Sequence, residues 1–92
     1  MIRSFKHRGL RRLFETGSTA GVNAQHVKRL RILLARLNVA RSPADMDAPG
    51  FYLHELKGSR KGIWSVRVNK NWRVTFSVDD LGVHIVDYED YH

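Results

Sequence analysis

Apolar residues recur along this chain with two different periods, and the change falls near residue 51. Before it they follow helical spacing. Leu10, Leu13 and Phe14 mark one face of a helix predicted over 7–16, which Gly17 stops. Residues 17–21 are small and polar and read as a turn. Asn23 is placed to cap a second helix running to about Ala40. Val27, Leu30, Leu34 and Leu37 share one face of it, and Lys28, Arg29, Arg31 and Arg36 mostly occupy the others. Ser42-Pro43 ends it, because proline disfavours helical backbone in the residue before it. Residues 43–50 read as a loop with Pro43, Pro49 and Gly50, and residues 1–5 as a short strand.

From Phe51 onward the period is two. Strands are predicted at 51–54, 63–68, 72–78 and 83–88, with a basic, glycine-bounded loop at 57–62. Helices followed by a run of hairpins define an α+β fold, two N-terminal helices packed on a small twisted, mainly antiparallel sheet. No repeat, low-complexity stretch or linker interrupts the chain, so residues 1–92 are expected to form one domain.

The alternation also predicts a register. Trp64, Val66 and Val68 share one strand face, and Trp72, Val74, Phe76 and Val78 share one face of the next. A three-residue loop, Asn69-Lys70-Asn71, turns both sets toward the helices, with asparagine suited to a left-handed position there. Arg67 then lies opposite Arg73 on the outer face, and like charges so placed are destabilising unless something neutralises them. If Val78 faces Val83, then Ile85 joins the core, while His84, Val86 and Tyr88 face outward. Continued alternation sends Asp90 and His92 to that outer face as well.

Composition narrows the function classes. Hydrophobic residues make up 42% of the chain and charged residues 27%, as in folded soluble proteins. The absence of cysteine removes thiolate metal sites and disulfides from consideration. No apolar run is long enough for a membrane span or signal peptide, so a cytoplasmic protein without membrane contact is expected. The net charge is +7 and unevenly spread. Residues 1–41 hold ten Lys/Arg and one acid, whereas 74–92 hold five acids and no Lys or Arg. Such an excess attracts polyanions without choosing among them.

Candidate chemistry gathers late in the chain. His54 precedes the basic loop and His92 ends the chain; two histidines near neutrality can serve as general base and general acid. Lys57, Arg67 and Arg73 can bind a phosphate and stabilise charge growing on it. Asp90 can orient a histidine. Tyr91 can hydrogen-bond phosphate or stack on a base. No spacing typical of a zinc site, P-loop or nucleophile elbow is present, and no metal or cofactor is expected.

Several segments together resemble the HigB-type toxins of the RelE/ParE superfamily. They are Ile2-x-Ser4-Phe5, Leu53-His54-x-Leu56-Lys57-Gly58 and Trp64-Ser65-x-Arg67-Val68, then Asn71-Trp72-Arg73-Val74-x-Phe76 and Val86-Asp87-Tyr88-x-Asp90-Tyr91-His92. The resemblance implies a RelE-like fold and a metal-independent endoribonuclease that cuts mRNA in the ribosomal A site. It implies catalytic roles for His54, Asp90, Tyr91 and His92, with Lys57 and Arg73 near the substrate phosphate. It further implies a HigA-like helix-turn-helix antitoxin, with operator DNA bound only through the toxin–antitoxin complex. Arg8, Arg11, Arg12, Lys28 and Arg29 are candidate contacts to ribosomal RNA or to the antitoxin. The competing expectation is a ParE-like toxin that shares the fold and binds DNA gyrase without catalysis.

Overall fold

A computed structural model of the chain describes residues 1–90. Two helices come first, α1 (Arg8–Thr16) and α2 (Val27–Val39), followed by β1 (His54–Glu55), β2 (Trp64–Arg67), β3 (Trp72–Asp79) and β4 (Gly82–Asp90). Short 3₁₀ turns lie at Ala24–His26, Pro43–Met46 and Gly58–Arg60. The strands form one antiparallel sheet in sequence order. This is the α+β arrangement that the change of period predicts. No described helix is long and apolar enough to cross a membrane.

Helix α1 is closed at both ends. The His7 imidazole accepts a hydrogen bond from the Leu10 N–H at 3.1 Å. Gly17 takes a left-handed φ of 79° and donates its N–H to Leu13 O. The turn after it lies hard against the helix start: a Cβ on Gly9 would sit 2.2 Å from the Gly21 carbonyl oxygen. Only a residue without a side chain fits there. Asn23 caps as expected, accepting from Gln25 N–H at 2.9 Å, but it opens a 3₁₀ turn that leads into α2.

Leu10 and Leu13 of α1 and Leu30, Leu33, Leu34 and Leu37 of α2 pack with Val66, Val74, Phe76, Val83 and Val86 in one buried cluster. Each large side chain so buried contributes about 1.5–3 kcal/mol. Phe14 stays partly exposed against Phe5, with ring centroids 5.8 Å apart.

Several local expectations are corrected. The strand predicted at 51–54 is confined to His54–Glu55, because Phe51 turns into the core between the guanidinium groups of Arg29 and Arg36. The 43–50 loop contains a 3₁₀ turn with Met46 fully buried. Backbone N–H groups of Arg41 and Ser42 donate to the Asp45 carboxylate there, holding its pKa below the usual range. Residues 1–5 make isolated parallel bridges to β4, Ile2 with Val83 and Phe5 with Val86, rather than a strand.

The β2–β3 hairpin has the predicted register, with Arg67 opposite Arg73 and the Val68 N–H donating to Trp72 O at 2.9 Å. Its turn works differently from expectation. No asparagine in it has positive φ; among the described residues only Tyr52 and Ile85 do, glycine aside. The Asn69 side-chain oxygen instead accepts from the N–H groups of Asn71 and Trp72, both at 2.9 Å.

The largest departure is in β4. Val78 faces Val83 as predicted, but the pairing slips by one residue beyond Ser77. Ile85, expected in the core, is the bulged residue, with φ 50° and its side chain 45% exposed. From there Val86 and Tyr88, expected outside, are buried, and Asp87 and Glu89 face outward opposite Thr75 and Arg73. A bulge inserts one unpaired residue and so exchanges the two faces downstream of it. The N-terminal segment holds it: the Ser4 hydroxyl accepts from Ile85 N–H at 2.8 Å, and Ser4 O accepts from Val86 N–H at 3.1 Å.

Candidate active site

The sheet face turned away from the helices carries two polar rows. His54, Ser65, Thr75 and Asp87 lie across all four strands, and Arg67, Arg73 and Glu89 lie beside them on β2, β3 and β4. The structure therefore brings together three of the predicted residues, His54, Arg67 and Arg73.

His54 is half-buried at the start of β1. Its Nδ1 lies 3.3 Å from the Tyr52 carbonyl oxygen. A carbonyl only accepts, so Nδ1 is the donor in this contact, and in the neutral ring Nε2 then carries the lone pair. Lys57 is exposed where the chain enters the Gly58–Arg60 turn. The Arg67 guanidinium lies 4.9 Å from the centre of the Tyr52 ring. Its backbone is anchored from both sides: Arg67 N–H donates to Phe51 O at 2.7 Å, and Arg67 O accepts from the Arg29 side chain at 2.9 and 3.2 Å. Arg29 thus ties α2 to the edge of the site, a structural task for a residue expected to be a surface contact.

Asp90 departs from the expected orientation. It pairs with Trp72 in the row that faces the helices, and it is exposed at the end of β4. Glu89 takes the outward place beside Arg73. Tyr91 and His92 lie outside the described residues.

Glu89 is the acid that sequence reasoning misses. Its carboxylate receives two hydrogen bonds from Arg60, at 3.1 and 2.5 Å, and one from the Thr75 hydroxyl at 2.9 Å. The Arg60 guanidinium is the chief reason its pKa lies below the usual carboxylate value. In the sheet register Glu89 stands opposite Arg73. Ser65, fully buried in the middle of the face, has a hydroxyl with no hydrogen-bond partner among the described residues. A cleft of about 100 Å³ lies at Thr75 and Asp87, lined also by Lys6, Arg60, Ile63 and Ile85.

Beneath the site, on the helix side, His26 joins three elements. Its Nε2 accepts from the Asn69 amide at 2.8 Å, so Nδ1 bears the proton and meets the Tyr88 hydroxyl. Trp72 stacks on Tyr88 at 4.5 Å and lies 5.6 Å from the His26 ring. Burial lowers the His26 pKa and raises that of Tyr88. This cluster fixes the β2–β3 turn and the last residues of β4 relative to one another.

The fold is that of the RelE-like toxins. YoeB in its complex with YefM from Staphylococcus aureus superimposes with a TM-score of 0.64, at 21% identity, over 100% of this chain and 95% of that one. The YoeB dimer from the same organism gives 0.62 at 19% identity, over 99% and 94% of the two chains. Residues 3–92 match the family model for the RelE-like toxin of the type II toxin–antitoxin system HigB. Endoribonuclease HigB of Proteus vulgaris is 46% identical over the full length of both chains. The chain belongs to the HigB-like toxin family, whose members pair with an antitoxin.

Proposed function

We propose that this toxin is an endoribonuclease that cuts mRNA in the ribosomal A site, by attack of the RNA 2′-hydroxyl on the adjacent phosphate. The observation that carries the reading is the set His54, Arg67 and Arg73 on one sheet face, with His54 Nε2 carrying the lone pair. His54 takes the 2′-hydroxyl proton. The 2′-oxygen bonds to phosphorus, the bond to the 5′-oxygen breaks, and His92 protonates that oxygen as it leaves. The products are a 2′,3′-cyclic phosphate and a 5′-hydroxyl. Arg73 and Arg67, with Lys57 from the loop, bind the phosphate and stabilise the charge that grows on it. Asp90 orients the His92 imidazole, and Tyr91 contacts phosphate or base. The atoms of the reaction balance with the side chains alone, and no metal or cofactor enters.

The partner in this reading is a HigA-like antitoxin with a helix-turn-helix domain, in the cytoplasm. One toxin sits on each subunit of an antitoxin dimer, and the complex reaches operator DNA through the antitoxin. The identity of 46% with an endoribonuclease along the whole chain supports the activity.

Induction of the wild type, His54→Ala and His92→Ala, with mapping of mRNA 5′ ends, tests it. New cuts within translated frames that vanish in both variants are expected. Growth arrest without such cuts would contradict the reading and direct the next assay to gyrase supercoiling.

A further inference from the structure

The reaction just described leaves one conspicuous side chain unused. Tyr52 is 61% exposed, while its neighbour Phe51 is 5% exposed and packs in the core. Packing therefore does not explain the tyrosine. Its backbone has φ 51°, two residues after Gly50 at 83°, a conformation that bulky residues rarely adopt. Three hydrogen bonds hold it there. Gly50 O accepts from Arg29 at 2.7 Å, Phe51 O from Arg67 N–H at 2.7 Å, and Tyr52 O from His54 at 3.3 Å. Strain of this kind persists only where the surroundings enforce it, and it concentrates at functional sites. The Arg67 guanidinium backs the ring at 4.9 Å, and Arg67 is itself the cross-strand neighbour of Arg73.

We propose that Tyr52, backed by Arg67, is the platform on which an RNA base stacks beside the scissile phosphate. The inference rests on the endoribonuclease reading and adds a binding residue to it. An exposed ring braced by a cation, two residues from a histidine and next to a pair of arginines, has the composition of a single-strand stacking site. Every base presents a π-face, so the platform contributes affinity without choosing a sequence. A planar guanidinium can serve two ends at once, its face supporting a ring and its N–H groups binding phosphate.

The test measures kcat and KM of the full-length toxin on mRNA-programmed ribosomes, with melting curves, for the wild type, Tyr52→Ala, Tyr52→Phe and Tyr52→Gly. Tyr52→Ala and Tyr52→Gly should raise KM by roughly 5- to 150-fold, the range for losing one stacked base. Their kcat should stay near that of the wild type. Tyr52→Phe should keep the wild-type KM. Tyr52→Gly should melt at or above the wild-type temperature, since glycine relieves the positive φ. A wild-type KM in Tyr52→Ala overturns the platform while leaving the ribonuclease intact. Equal losses in Tyr52→Phe and Tyr52→Ala overturn it too, because the hydroxyl rather than the ring would matter. A wild type that cuts no mRNA overturns the platform together with the reading beneath it.

Discussion

On the helix side of the sheet, Val66, Val74, Phe76, Val83 and Val86 are fully buried in one apolar cluster. On the other side, the same strands crowd Arg67, Arg73, Asp87 and Glu89 around the buried hydroxyls of Ser65 and Thr75. The two faces differ in what holds them. The first depends on close packing, which is non-directional and tolerant of exchange among similar shapes. The second depends on named partners at fixed distances, such as the Arg60–Glu89 pair. The bulge at Ile85 lets β4 serve both, placing Val86 and Tyr88 inward and Asp87 and Glu89 outward. A small protein can thus carry a charged site on the back of its own core.

Substitutions can break this division, the largest effect coming from the packed face. Phe76→Ala should remove about 3–5 kcal/mol, the usual cost of emptying a buried aromatic position. Chemical denaturation would show it, and a loss under about 1 kcal/mol would mean the core is not where the clusters place it. His26→Phe keeps a ring but leaves the Tyr88 hydroxyl and the Asn69 amide without their partner. It should cost about 1–3 kcal/mol. It should also remove a pH dependence. Burial lowers the folded-state pKa of His26, so the unfolded chain binds the proton first. Wild-type stability should decline as pH falls below the ordinary value of 6.5, and the variant should lack that slope.

Ile85→Gly sharpens the comparison from the other direction. The left-handed φ at Ile85 suits glycine, so the variant should gain roughly 1 kcal/mol and keep both faces as they are. A lower melting temperature would mean the exposed isoleucine makes contacts that outweigh its strain. The smallest effect is expected for Glu89→Gln, since both partners of the ion pair reach solvent. The folded-state pKa of Glu89 is depressed, chiefly by Arg60. Its stabilisation is present above the ordinary value of 4.5 and lost as pH falls through the lower folded value. The variant should therefore show a flatter acid limb in melting curves taken across that window.

The packed face is largely legible in the sequence. Leucine spacing marks both helices, and strict alternation in β2 and β3 fixes the hairpin register and its three-residue turn. Reading β4 as uninterrupted alternation misplaces half of it. The signal against that reading is Val86 and Tyr88, two large side chains that uninterrupted alternation would leave on the polar outer face and that are buried instead. That single slip conceals Glu89 and turns Asp90 to the Trp72 side. The outer face is legible in its residue types, with His54, Arg67 and Arg73 on it, but not in its partners. Tyr52 under Arg67 and Arg60 on Glu89 join segments far apart in the chain, and no local period encodes such meetings.

Arg73 and Val74 are neighbours in the chain and face opposite sides of the sheet, so they test the division most directly. Arg73→Ala and Val74→Ala would be compared for melting temperature and for mRNA cleavage on programmed ribosomes, per folded molecule. The account predicts that Arg73→Ala loses about 10²–10³-fold in cleavage, as for a missing charge-stabilising donor. Val74→Ala should instead melt lower and cleave like the wild type. Wild-type cleavage by folded Arg73→Ala would contradict it.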